Sequence, residues 1–333
     1  MHAMVLERVG QPLALREFAT PVPGPGEVLL RVEACGVCRT DLHVVDGELP
    51  GVRPPVTPGH EVVGIVEALG SADTGLQVGQ RAGVCWLGST CGKCRYCLMD
   101  MENLCDAPEF TGYTRPGGFA THILARAAFC VPLALRDDPV ATAPLMCAGL
   151  IGWRALKKAG EGRALGFYGF GAAAHLLTQV AVGQGRKVYA FTRAGDDEHQ
   201  AFALAQGACW AGDADALPPE PLDAAILFAP AGDLVPLALR AVRKGGRVVC
   251  GGIHMSDIPS FPYRLLWEER ELLSVANLTR SDARSYFAAP ERSRIHANST
   301  TYPLEKANEA LSDLRDGRLC GAAVLSPDAL ARS

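Results

Sequence analysis

Hydrophobic and polar positions divide the chain into two textures. Up to about residue 85 the apolar residues come in short β-type runs. Residues 1–15 alternate as a strand does, 21–26 read as a Pro/Gly turn, and 28–33 as a strand. Residues 62–69 form a second β-branched run, and the glycines at 79–83 introduce a third. One short helix is expected within 35–45, and strand character returns at 117–124. From about residue 141 the pattern changes. Residues 145–158 have helical period, 163–171 run as an apolar strand into a glycine turn, 172–182 are helical and 187–191 are again a strand. Further strands are expected at 224–228, 247–250 and 272–276. Strand-helix alternation of this kind implies a parallel sheet covered on both faces. It stops near residue 290, where an amphipathic helix (302–317) and a last strand (322–325) follow.

Composition narrows the class. At 333 residues the chain is long for a single core, so two domains are expected. A net charge of -4 lacks the basic footprint of a nucleic-acid partner. No apolar run approaches the ~20 residues that span a bilayer, which excludes a membrane helix. The first 15 residues have no apolar signal core, so a cytoplasmic location is expected. In an unexported chain the 12 cysteines read as thiols or metal ligands rather than disulfides.

Three motifs carry chemistry. The first runs from Cys35 to Glu61, with C-G-V-C-R-T-D-L-H followed by P-G-H-E-V-V-G. Cys38 and His60 are ligand types that a catalytic zinc prefers, and a third must come from elsewhere. By spacing alone His43 reads equally well as a surface histidine, and Cys147 as a small buried residue. The second motif is Cys91, Cys94, Cys97 and Cys105, C-x2-C-x2-C-x7-C. Four thiolates on a short loop fit a closed tetrahedral zinc, and the spacing is not one of the usual iron-sulfur runs. The third is G-x-G-x-x-A at Gly169, Gly171 and Ala174, between an expected strand and an expected helix that begins at Ala172. That context suits a dinucleotide pyrophosphate at a helix N-terminus. The second strand ends in Thr192-Arg193, without the acid that would bind the ribose 2'-hydroxyl of NAD. NAD and NADP both stay open, with a lean to NADP.

These motifs, in this order, resemble the zinc-dependent medium-chain alcohol dehydrogenases of the bacterial and yeast-like branch, over essentially the whole chain. The resemblance implies an α/β plus β fold. Residues 1–147 would form a GroES-like β-rich catalytic domain, 148–288 a Rossmann NAD(P)-binding domain, and 289–333 a return to the catalytic domain. It implies two Zn2+ per chain and NAD(P)(H). Cys38, His60 and Cys147 would hold the catalytic zinc, the Cys2His set of alcohol dehydrogenases as a class. Cys91, Cys94, Cys97 and Cys105 would hold the structural one. Asp41 matches the acid that orients the histidine ligand, Glu61 the acid beside the metal, and Thr40 and His43 the proton relay. Trp86 matches a substrate-pocket aromatic, and Ile253, His254, Asn277 and Leu278 the nicotinamide contacts. Ala322 stands where many relatives carry a pyrophosphate-binding arginine, for which Arg280 or Arg318 are the candidate substitutes. The implied partner is a small alcohol or aldehyde, and the implied assembly a homo-oligomer. A polyol dehydrogenase of this fold would replace the third cysteine ligand by glutamate. A non-enzymatic zinc-stabilised relative would be expected to lose Thr40 or His43.

Overall fold

A computed structural model describes residues 1–72 and 74–327. Its contacts separate two compact units. One holds Met1–Cys147, Thr279–Ala283 and the chain from Ala297 onward; the other holds Ala148–Leu278 and Arg284–His296.

The first unit is built on a seven-stranded sheet. Its path runs Ser299–Pro303, Ala322–Ser326, Glu27–Val37, Glu61–Leu69, Arg81–Val84 and Cys130–Pro132, with His122–Arg126 also paired to Glu27–Val37. All pairs are antiparallel except Ser299–Pro303 with Ala322–Ser326. Glu27–Val37 is the longest strand, and its pairing with Glu61–Leu69 shifts register twice. Such irregularities bend a strand and tighten its twist, as a closing sheet requires. Leu30, Val32, Val62, Phe119 and Leu325 are fully buried in the core between these strands.

Local differences from the sequence reading have physical causes. The strand from Glu27 continues to Val37, so the helix starts only at Arg39 and ends at Asp46. The strand expected over 117–124 is confined to His122–Arg126. Gly117, Gly118 and Phe119 donate their N–H groups to Thr57, Gly59 and Pro58 instead of to a strand. A Cβ on Gly117 would lie 2.2 Å from the Gly59 carbonyl oxygen, so only glycine permits this approach. The C-terminal helix is shorter than expected, Ala307–Arg315, because Ser299–Pro303 is a strand.

The second unit is a six-stranded sheet of wholly parallel strands. In chain order its strands are Ala164–Tyr168, Lys187–Thr192, Trp210–Asp213, Leu222–Leu227, Val242–Cys250 and Glu271–Ser274. Across the sheet they stand third, second, first, fourth, fifth, sixth. This is the doubly wound order, and its reversal between Ala164–Tyr168 and Leu222–Leu227 opens a crevice at their carboxyl ends. Both of these strands lie at the centre and are almost entirely buried, and both are mostly apolar apart from Asp223 near the start of the second. Tyr168 stacks on Phe191 of the neighbouring strand with ring centroids 4.1 Å apart. The sequence reading missed the strand Trp210–Asp213, which is short and carries little hydrophobic pattern.

The helix expected over 145–158 is interrupted. A 3-10 turn covers Ala143–Met146, Cys147 leaves helical geometry at φ -128° and ψ -69°, and the α-helix runs Ala148–Ala159. The return from the second unit also differs from a single boundary at 288/289, because Thr279–Ala283 packs with the first unit. Arg280 there donates its backbone N–H to buried Glu102 at 2.9 Å. Among the described residues no single helix is long and apolar enough to cross a membrane.

Candidate active site

Cys38 caps the helix Arg39–Asp46. Its thiol accepts from the Thr40 N–H at 3.4 Å, and its own N–H donates to Asp41 Oδ2 at 2.9 Å. The reciprocal pair is a capping box, and it fixes the thiol direction at the helix N-terminus. Asp41 is fully buried, and its other oxygen, Oδ1, accepts from the Gly59 N–H and from His60 Nδ1, both at 3.0 Å. One carboxylate therefore ties the Cys38 turn to the loop that presents His60. Gly59 has φ +96°, and a Cβ there would lie 2.8 Å from the Phe119 N atom, so this loop needs glycine.

Cys38, His60, Glu61 and Cys147 present one ligand atom each within 4.8 Å of one another, and the Cys38 and Cys147 sulfurs are 3.9 Å apart. His60 is fully buried, and among the described residues its Nε2 makes no hydrogen bond of normal geometry. A buried ring nitrogen left so costs about 1–3 kcal/mol, and a cation between it and the two thiols removes that cost. Glu61 is also buried, and room for it exists because residue 36 is glycine; a Cβ there would meet Glu61 Oε2 at 1.9 Å.

The electrostatics point the same way. The neighbouring Cys147 thiol, and after it the His60 ring, hold the Cys38 thiol well below its ordinary range. The Cys38 sulfur and burial hold Cys147 well above. Burial pulls the His60 ring down, but Asp41 and Cys38 outweigh it and raise the ring. Burial and the Cys38 charge raise Glu61. A divalent cation relieves the crowding of negative charge in such a set and deprotonates a coordinating thiol.

The second cysteine group also converges within 4.8 Å. The lobe that carries it has only the four-residue helix Arg95–Leu98 and a 3-10 turn, Glu102–Leu104. Backbone N–H groups point at the sulfurs: Cys94 to Cys91 at 3.3 Å, Cys91 to Cys105 at 3.3 Å and Ala107 to Cys105 at 3.4 Å. The Cys97 and Asp106 N–H groups bring the Cys94 thiol down to about 6. Both groups fit a bound zinc by donor type and by convergence.

In the second unit, Gly169 has φ +87°, and a Cβ there would lie 2.9 Å from the Ala229 N atom. Gly171 caps the helix Ala172–Gly183, and nothing lies within 4 Å of where its Cβ would be. The helix N-terminus is thus open to a phosphate group, while fully buried Ala174 packs the helix on the sheet. Thr192 is buried and its hydroxyl accepts from Gln200 at 3.1 Å; Arg193 is exposed. Ile253 and His254 are exposed, and Asn277, at φ +59°, holds the Leu278 N–H through its side-chain oxygen. Both candidate substitute arginines already have acidic partners. Arg280 is paired with Glu102 and lies over the Phe129 ring, and Arg318 is held by Asp313, Asp316 and Ser312.

Some residues escaped the sequence reading. Trp86 meets the His60 ring edge-on at 5.0 Å, and it is stacked by Phe110 at 5.2 Å and Tyr113 at 5.7 Å. The F-T-G-Y run at 110–113 is the only signal for this wall, and nothing in it indicates a metal nearby. The acid Glu48, bonded to His43 Nδ1, was likewise unmarked.

Residues 24–135 match the family described as alcohol dehydrogenase GroES-like domain. The chain is 46% identical over 322 residues to the protein named "Probable alcohol dehydrogenase AdhA" of Mycobacterium tuberculosis (strain CDC 1551 / Oshkosh), covering 94% of this chain and 92% of that one. Among solved structures it is similar to a Sinorhizobium meliloti 1021 dehydrogenase, named for zinc binding and bound to NADP. That likeness has a TM-score of 0.84 at 27% identity and covers 98% and 99% of the two chains. It is also similar to an acetophenone reductase from Geotrichum candidum NBRC 4597 in complex with NAD, with a TM-score of 0.87 at 26% identity, covering 98% and 96%. With a cysteine-histidine cluster in a GroES-like unit and a doubly wound sheet behind a glycine turn, the chain belongs to the zinc-dependent medium-chain alcohol dehydrogenases, oxidoreductases that exchange hydride between an alcohol and a nicotinamide cofactor.

Proposed function

We propose that Cys38, His60 and Cys147 hold the catalytic zinc of this alcohol dehydrogenase, and that Cys91, Cys94, Cys97 and Cys105 hold a second, structural zinc. One observation carries the first assignment: His60 is oriented through Nδ1 by Asp41, while its buried Nε2, without a hydrogen bond of normal geometry among the described residues, converges with the Cys38 and Cys147 sulfurs. Zinc held there would supply Lewis acidity toward the substrate oxygen. Asp41 keeps the imidazole in one orientation, and Glu61 stands ready beside the ligands. The Thr40 hydroxyl takes the alcohol proton, and His43 moves it on toward solvent. Trp86, with Phe110 and Tyr113 behind it, gives the site an aromatic wall suited to primary or small aromatic alcohols. A nicotinamide cofactor, when bound, would supply the hydride acceptor for oxidation of the alcohol to aldehyde or ketone. Gly169, Gly171, Ala172 and Ala174 receive its pyrophosphate, and Ile253, His254, Asn277 and Leu278 its nicotinamide end. The test is elemental analysis of purified enzyme, with two zinc ions per chain expected. One or none counts against the assignment.

For the cofactor the reading leans to NADP. Thr192 is neutral, and exposed Arg193 offers planar donors to a 2'-phosphate. Asp213 pairs in register with Thr192, and its carboxylate already accepts from Gly195 N–H and the Gln200 amide. Replacing Arg193 by Ala is expected to lower kcat/KM for NADP by about tenfold and for NAD much less. An equal loss for both would end the lean to NADP. Thiols throughout suit a reducing cytoplasm. The exposed Leu98, Met99 and Met101 on the lobe support a homo-oligomer, which light scattering reads directly.

A further inference from the structure

We propose that Glu48 is a positioning residue for the proton relay: its carboxylate holds His43 in the tautomer with the proton on Nδ1, leaving Nε2 as the nitrogen that takes up a proton. The inference rests on the reading of His43 as a relay residue. Its geometry begins with the end of the helix Arg39–Asp46. Gly47 there has φ +76°, and this left-handed turn folds the chain back on the helix. The Gly47 N–H bonds the Val44 carbonyl at 3.3 Å and the Glu48 N–H bonds the His43 carbonyl at 2.9 Å. Residue 48 therefore lies against residue 43, and the Glu48 carboxylate pairs with His43 Nδ1. Gly47 cannot be replaced freely, since a Cβ would also meet Val9 Cγ1 at 2.3 Å.

The chemistry follows from donor and acceptor count. An ionised carboxylate only accepts hydrogen bonds, and a neutral imidazole carries one proton. The bond to Glu48 thus keeps that proton on Nδ1 and makes Nε2 the acceptor. When Nε2 takes a proton, the imidazolium charge is balanced by the carboxylate. His43 is buried, whereas the Glu48 side chain is 47% exposed, so the pair joins an interior ring to solvent. The other acid of this turn, Asp46, pairs with Arg315 at 2.7 Å, on the helix Ala307–Arg315 that packs against this one. Asp46 is therefore committed elsewhere, and the role falls to Glu48.

The experiment uses the zinc-loaded full chain, labelled with 15N-histidine, as wild type, Glu48→Gln, Glu48→Ala and His43→Gln. The His43 signals are assigned by their loss in His43→Gln. In wild type they should report Nδ1–H. Glu48→Gln keeps an oxygen acceptor and should keep the tautomer with a smaller loss of turnover. Glu48→Ala should mix the tautomers and lower kcat for alcohol oxidation roughly tenfold, with the cofactor dissociation constant and zinc content unchanged. A pure Nδ1–H tautomer in Glu48→Ala, or wild-type kcat in that variant while His43→Gln is slow, overturns the inference alone. Wild-type turnover in His43→Gln overturns the relay reading and the catalytic half of the inference with it.

Discussion

The two cysteine groups of this protein use similar donors but are assembled in opposite ways. Cys91, Cys94, Cys97 and Cys105 come from 15 consecutive residues with little buried surface and almost no regular structure. A few turn-type backbone bonds, the thiols and the N–H groups aimed at them hold the loop together. Cys38, His60 and Cys147 lie up to 109 positions apart, and each is placed by hydrogen bonds and backbone geometry around it. A helix cap fixes Cys38, a buried aspartate and a left-handed glycine fix His60, and a break between helical segments fixes Cys147. In the lobe a metal would make the structure, whereas at the buried site the structure makes a place for a metal.

Substitution at the buried site is expected to cost the most activity. Cys38→Ser should lower kcat/KM about a thousandfold, because Lewis acidity at the reacting oxygen is worth several kcal/mol. Its melting temperature should change little. A large fall in melting temperature would mean that this site, too, is held together by its ligand. Cys94→Ser should act in reverse. Loss of the lobe's ligand set should cost about 3 kcal/mol and lower the melting temperature by roughly 10 °C, leaving one zinc per chain. Unchanged thermal unfolding would show that the lobe holds its shape by backbone contacts alone.

Asp41→Asn leaves the ligands in place but weakens the acceptor shared by Cys38, Gly59 and His60. Metal affinity at the buried site should fall about 10–100-fold while the lobe's does not, which competition with a chelator would measure. After complete metal removal the lobe thiols should separate by reactivity. Cys94, held down to about 6 by backbone N–H groups, should alkylate readily at neutral pH, and its rate should fall as the pH drops through that value. Cys105, pushed up to about 11 by burial, should alkylate slowly. Equal rates for the two would mean that the sulfur-directed N–H bonds do not survive without a metal.

Sequence alone was enough for whatever is local. The C-x2-C-x2-C-x7-C spacing, the glycine turn between a strand and a helix, and the change from β runs to strand-helix alternation each depend on neighbours within about twenty residues. Backbone geometry then leaves few choices. Gly169 is such a case, since its positive φ and the approach of Ala229 allow no side chain. Tertiary structure decided whatever requires distant segments to meet. The 3.9 Å between the Cys38 and Cys147 sulfurs, the buried His60 Nε2 and the stack of Phe110 and Tyr113 on Trp86 have no local signature. The glycines at 117 and 118 make the same point, because a strand pattern gave way to bonds with the His60 loop. Periodicity records which face a residue turns to the core, but not which distant segment it meets there. That choice belongs to the packing of the whole unit, which brings the Cys38 and Cys147 sulfurs together across 109 positions.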